Sequence, residues 1–155
     1  MQIDFMRPNF LITLIGTTFF TGYIPIAPGT FASILALPFV ILLYKNTIIF
    51  LLICLVLLIV GVLCANYLAK YYRKKDDQRV TIDEFLGILI SFMLLPKLNW
   101  YLIIIGFILF RAFDILKIFG IRQVESMSGG WGVMLDDVLS GIYTNLILRL
   151  ILLIV

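Results

Sequence analysis

The run from Thr47 to Ala69 holds 23 consecutive residues without a charge. At ~1.5 Å of rise per residue, a helix of that length crosses a hydrocarbon core ~30 Å thick. So long an apolar helix fixes lipid as the solvent against which the rest of the chain must fold. Composition agrees: 63% of the 155 residues are hydrophobic and 14% charged, where a soluble domain has about half and about a quarter. The expected fold is all-α, a polytopic membrane helix bundle forming one membrane-embedded domain over residues 1–155.

Five further apolar stretches cover 9–20, 30–44, 82–95, 99–119 and 133–155. Those of about 14 residues are too short to span unaided, so short, tilted or half-inserted helices are expected among them. The residues before Pro8 show no basic region leading into a cleavable apolar stretch, and no signal peptide is expected.

The loops give an orientation. Residues 70–79 hold Lys70, Arg73, Lys74, Lys75 and Arg79, whereas the connections at 45–46 and 96–99 hold one Lys each. An excess of Lys and Arg marks the cytoplasmic side. Alternating the spans from there places 22–29 and 120–132 on that same side, so three polar loops are expected to meet at one membrane face.

A net charge of +3, with the basic residues gathered in loops, fits orientation signals and gives no reason to expect nucleic acid. The chain has no histidine, which removes Ser-His-Asp and Cys-His hydrolases and phosphatases that work through a phosphohistidine. Neither Cys54 nor Cys64 is followed six positions later by Arg, so a Cys-x5-Arg phosphate loop is excluded. Ten residues apart in one helix, they cannot reach each other to form a disulfide.

What remains for chemistry is acidic. Thr81-Ile82-Asp83-Glu84 opens the fourth apolar stretch. It reads either as a capping box or as a pair of hard oxygen ligands suited to Mg²⁺. Arg111, Asp114 and Lys117 share one helix face at i, i+3 and i+6. Nine apolar residues precede Arg111, so this face lies deep for surface charges, and it is either a buried ion pair or part of a site. Asp136 and Asp137 open the last stretch behind Gly129-Gly130-Trp131-Gly132; they suit a helix dipole, and the glycine turn suits an anion. Pro28-Gly29-Thr30 reads as a helix N-terminus whose amides can face a phosphate. Asp76 and Asp77, amid basic residues, read most simply as a solvated loop. Capping alone does not explain Asp114 within a span, nor why the acids gather at one face. Carboxylates crowded in a low dielectric repel unless a cation neutralises them.

In this order the motifs resemble the bacterial phosphatidylglycerophosphatase A family: Pro25-Ile26-Ala27-Pro28-Gly29-Thr30 with Ser33; Lys75-Asp76 leading to Ile82-Asp83-Glu84 and Gly87; Phe110-Arg111-x-Phe113-Asp114-Ile115-x-Lys117; and Gly129-Gly130-x-Gly132-Val133-Met134-Leu135-Asp136-Asp137 with Gly141. Together they span residues 25–141. The chain departs from the family where it has Asp77, Ile118 and Gly120 in place of Pro, and Ala32 in place of Gly; every carboxylate is kept.

The resemblance implies a Mg²⁺-dependent lipid phosphatase that removes the terminal phosphate of phosphatidylglycerol phosphate. Its substrate partner would be a phospholipid in the bilayer, and its place a bacterial inner (plasma) membrane, multi-pass, with the active site facing the cytoplasm. A homo-oligomer is compatible with it. Asp83, Glu84, Asp114, Asp136 and Asp137 are then the expected catalytic and metal-binding residues. Gly29, Thr30, Arg111, Lys117, Arg122, Gly130 and Gly132 are the expected phosphate-binding ones. Attack by water is favoured over attack by an aspartate, because several acids suit a metal better than a nucleophile. A lipid phosphotransferase is the alternative enzyme, against which the CDP-alcohol pattern is missing. A metal-ion transporter is the alternative non-enzyme, against which no polar chain crosses 47–69. A non-catalytic subunit of a lipid-synthesis complex is a third alternative.

Overall fold

The structure is a computed structural model and describes residues 8–154; residues 1–7, on which the absence of a signal peptide was read, lie outside the described residues. Among the described residues seven helices follow one another: α1 (Phe10–Gly16), α2 (Pro28–Leu43), α3 (Thr47–Tyr72), α4 (Ile82–Phe92), α5 (Trp100–Leu116), α6 (Ile121–Glu125) and α7 (Gly130–Ile154), with a 3-10 turn at Thr21–Tyr23. No strand occurs among the described residues. By length and composition α3 and α7 can each cross a membrane. Along their flanks large apolar side chains such as Ile48, Leu52, Leu55, Ile59 and Leu63 stand exposed. A water-facing helix would not keep such a face, and hydrocarbon makes it neutral.

α4 is the organising element. Its 11 residues reach about 16 Å, half a bilayer, and every one except Glu84 is buried. A helix apolar nearly all round belongs in a core, and α2, α3, α5 and α7 surround it. Its tightest approach is to α7. A Cβ at Gly141 would strike the Gly87 carbonyl, and one at Gly87 would meet the Phe110 ring and the Asp137 carbonyl. Small residues at this crossing let the two backbones close up, which brings the first turn of α4 beside Asp137.

Ending a helix inside a bundle leaves carbonyls that lipid cannot satisfy. The chain turns away through extended Met93 and left-handed Leu94. Asn145 of α7 then donates to the carbonyls of Ile90, Ser91 and Met93 at 3.3, 3.0 and 2.8 Å. Arg149 donates to Leu94 O at 2.6 Å and to Asn145 Oδ1 at 2.7 Å. Neither residue was marked by the motifs; the available signal was two polar residues at i and i+4 within an apolar run.

At the other end of the bundle the three polar loops do meet. Tyr23 and Tyr72 hydroxyls lie 2.7 Å apart, Thr21 and Thr81 hydroxyls 3.2 Å, and Lys75 Nζ donates to Glu125 O at 3.0 Å. Arg79 forks onto Asp77 at 2.7 and 2.9 Å and lies 3.5 Å over the Tyr72 ring. The Arg79 hydrogen bonds outweigh burial and hold the Asp77 carboxyl below the usual aspartate range. Asp77 is therefore a structural tie within the basic loop.

Candidate active site

All five expected acids, Asp83, Glu84, Asp114, Asp136 and Asp137, line one polar cavity of about 300 Å³ at this end of the bundle. Lys117 stands on its wall as well, and Lys74, Asp76 and Gln78 border it from the loop before α4. Asp76, which the sequence suggested was merely solvated, therefore belongs to the cavity. What separated it from Asp77 is which carboxylate Arg79 takes.

Charge pairing divides the acids into two groups. Arg111 Nη1 holds Asp114 Oδ2 at 2.6 Å, the ion pair that the i, i+3 spacing allows. Lys117, set left-handed at the end of α5, holds both Glu125 Oε1 and Asp136 Oδ2 at 2.7 Å. Asp83, Glu84 and Asp137 have no ionic partner among the described residues, and each offers a carboxylate oxygen within 4.8 Å of the others'. Asp83 Oδ1 and Glu84 Oε2 are sealed from solvent with no hydrogen-bond partner. Burial without partners is costly for any polar atom and most costly for an anion.

Thr81 and Glu84 do not form a capping box. The Thr81 amide donates to Gly16 O at 3.0 Å, its hydroxyl faces Thr21, and the Thr81 side chain makes no capping bond to α4. With its capping partner engaged elsewhere, Glu84 is left to the cavity.

The expected phosphate cradles are arranged differently. α2 does begin at Pro28, after left-handed Ala27. Yet the Thr30 amide is already donated to Ala27 O at 3.0 Å, and a Cβ on Gly29 would collide with the Glu84 carboxylate. Gly29 thus gives Glu84 room. The last helix starts at Gly130, earlier than the glycine turn suggested, because Asn66 Oδ1 accepts the Gly130 N–H at 2.8 Å and the bare Cα rests on the Val62 carbonyl. Gly132 is packed against the Met127 and Glu125 carbonyls. Asp136 and Asp137 accordingly sit in the second turn of α7, not the first. Arg122 lies on the exposed side of α6, and neither it nor Arg111 walls the cavity.

A buried acidic cavity with basic residues on its wall, set at one end of an apolar bundle, suits a cation and a phosphate together. The family model for phosphatidylglycerophosphatase A matches residues 14–152. The chain belongs to the phosphatidylglycerophosphatase A family. Two relatives bear that family's name: a Haemophilus influenzae protein, 34% identical over 94% of this chain and 90% of its own length, and an Escherichia coli protein, 33% identical over 89% and 81%. A Bacteroides thetaiotaomicron protein, 40% identical over 92% of this chain and 94% of its own, carries the provisional name phosphatidylinositol-3-phosphatase. No solved structure matches the chain significantly. The phosphatidylglycerophosphatase A match takes in the whole cavity, from the α2 start to Asp137.

Proposed function

We propose that this member of the phosphatidylglycerophosphatase A family is a multi-pass membrane phosphomonoesterase that converts phosphatidylglycerol phosphate to phosphatidylglycerol, with Mg²⁺ held by Asp83, Glu84 and Asp137. One observation carries the metal assignment: these three cavity carboxylates, none with a counter-cation, bring their oxygens within 4.8 Å of one another, and two of those oxygens are buried with no partner. An oxygen-only donor set in an apolar protein suits a hard cation. Asp114 and Asp136, already neutralised by Arg111 and Lys117, are left for other tasks.

The bound cation supplies charge neutralisation for the transferring phosphoryl group. Lys117, held on the cavity wall by Glu125 and Asp136, adds a fixed positive charge toward the phosphate oxygens. Asp114, its Oδ2 fixed by Arg111, orients the attacking water and takes its proton. Lys74 at the mouth offers a mobile cation to the incoming headgroup. The cavity faces the cytoplasm, since the loop beside it carries five basic residues.

The Bacteroides relative motivates a second headgroup, an inositol phosphate, which is likewise a phosphomonoester on a glycerophospholipid. Purified protein in mixed micelles should release phosphate from phosphatidylglycerol phosphate in Mg²⁺ at least tenfold faster than from phosphatidylinositol 3-phosphate. The reverse preference would transfer the assignment to the second headgroup. Full activity after exhaustive chelation would refute the metal, and release from neither lipid would refute the phosphatase.

A further inference from the structure

A second cavity, of about 290 Å³ and apolar, opens between α1, α3 and α4; Leu14, Val56, Val60, Ile82 and Phe85 are among its walls. Val56 and Leu57 also wall a groove of about 270 Å³ that runs on along α3 past Ile53 to Ile49. At these shared residues the two adjoin as successive stretches of one apolar groove along α3. Its upper end lies at Ile82, the residue before Asp83, and its lower end at Ile49 in the first turn of α3. From Val60 to Ile49 is about 16 Å along the helix axis. Ile49, Leu52 and Val56 are exposed on the apolar flank of α3, so the groove is open sideways to lipid and descends from the level of the carboxylates toward the opposite face.

One polar side chain breaks this apolar lining. Thr18 is 4% exposed, and its Oγ1 has no hydrogen-bond partner. Thr13, Thr17 and Thr21 each return their hydroxyl to the carbonyl four residues back. Thr18 makes no such bond, and it opens a run in which Thr18, Phe19 and Phe20 have φ of 46, 54 and 67°. Three successive non-glycine residues in the left-handed region are rarely tolerated, and such strain gathers where a side chain must be held for a purpose. The hydrogen bonds Phe19 N–H to Leu14 O at 2.8 Å and Gly22 N–H to Thr17 O at 3.1 Å hold the turn.

We propose that this groove seats one acyl chain of the lipid substrate, with the Thr18 hydroxyl donating to the ester carbonyl that joins the chain to glycerol. The proposal rests on the lipid-phosphatase reading. Adjoining apolar pockets that open to the bilayer, with one buried, unpartnered donor beside them near the reactive level, have the chemistry of a single esterified chain. A second copy of the protein would require a broad face instead. Binding a remote chain lets the enzyme spend that contact on fixing the phosphate.

Val60→Phe narrows the groove, and Thr18→Val removes the hydroxyl while keeping the shape. Both variants are assayed on diacyl phosphatidylglycerol phosphate in mixed micelles and on its deacylated, water-soluble headgroup. Displacing about two methylene groups should lower kcat/KM for the diacyl lipid by about tenfold, and losing one hydrogen bond by about fivefold. The deacylated compound should be hydrolysed at the wild-type rate. Equal losses on both compounds, or no loss on the diacyl lipid, would overturn the proposal. If the wild-type protein hydrolyses neither compound, the phosphatase reading has failed, and the groove is judged directly in bilayers of phosphatidylglycerol bearing a diazirine on the acyl chain. Cross-links concentrated at residues 49–60 and lost in Val60→Phe support it; cross-links spread evenly over the exposed faces of α2, α3 and α7 overturn it.

Discussion

Glu84→Gln is expected to stabilise the protein without metal and to abolish its function with metal. In the native cavity Glu84 lies within 4.8 Å of both Asp83 and Asp137, oxygen to oxygen. With an effective dielectric of about 20, each ionised pair at that distance repels by about 3.5 kcal/mol, so Glu84 takes part in about 7 kcal/mol of repulsion. Taking up a proton limits what is actually borne. At pH 7, protonating an ordinary glutamate costs about 3.7 kcal/mol. Replacing Glu84 by its neutral near-isostere should therefore gain up to about 4 kcal/mol in chelator, a rise in Tm on the order of 10 °C. In Mg²⁺ the sign reverses, because wild type gains the binding free energy of the cation and the variant loses most of it. Turnover should fall by orders of magnitude. A capping role predicts something else: Gln serves there as well as Glu, so neither Tm nor turnover would move much. The assay is phosphate release at saturating Mg²⁺ beside thermal unfolding in detergent, with and without chelator. Near-wild-type turnover, or the same Tm change in both conditions, would refute the charge pairing on which the metal assignment depends.

Gly29→Ala places a methyl group against the Glu84 carboxylate, so phosphate release should drop by at least about tenfold, while circular dichroism in detergent shows the helices intact. Lys117→Met leaves Asp136 buried without its cation and should lower stability by about 3 kcal/mol, read as a fall in Tm that Asp136→Asn in the same chain partly restores. Asp77, whose folded carboxyl is held low by Arg79, contributes stability that is present above the ordinary aspartate range near pH ~4 and lost as pH falls through its lower folded value. Unfolding curves of wild type and Asp77→Asn should therefore differ at neutral pH and converge in acid.

Much of this molecule is legible in the chain because lipid is an unforgiving solvent. A charge-free run such as Thr47–Ala69 has one stable fate, and α3 covers it. The acids were conspicuous for the same reason, since Asp114, Asp136 and Asp137 stand in or beside apolar runs where a charge needs cause. Positive residues in one loop, with the spans alternating, also foretold that three loops meet at one end. The Arg111–Asp114 pair follows from helical spacing alone.

Which acids remain unneutralised was decided only by the tertiary structure. Lys117 reaches Asp136 nineteen residues away, and no periodicity encodes that distance. The glycines of the motifs were visible as residues, but their work is steric and set by the neighbour: Gly29 makes room for Glu84, Gly130 rests on the Val62 carbonyl, and Gly87 meets Gly141 across two helices. The half-length α4 is stable because Asn145 and Arg149, more than fifty residues later in the chain, satisfy its last carbonyls. Solvent preference acts on each residue where it stands and can be read along a line. Pairing of charges, clearance for a carboxylate and the capping of a buried helix end depend on which segments touch, and only the packed bundle fixes that.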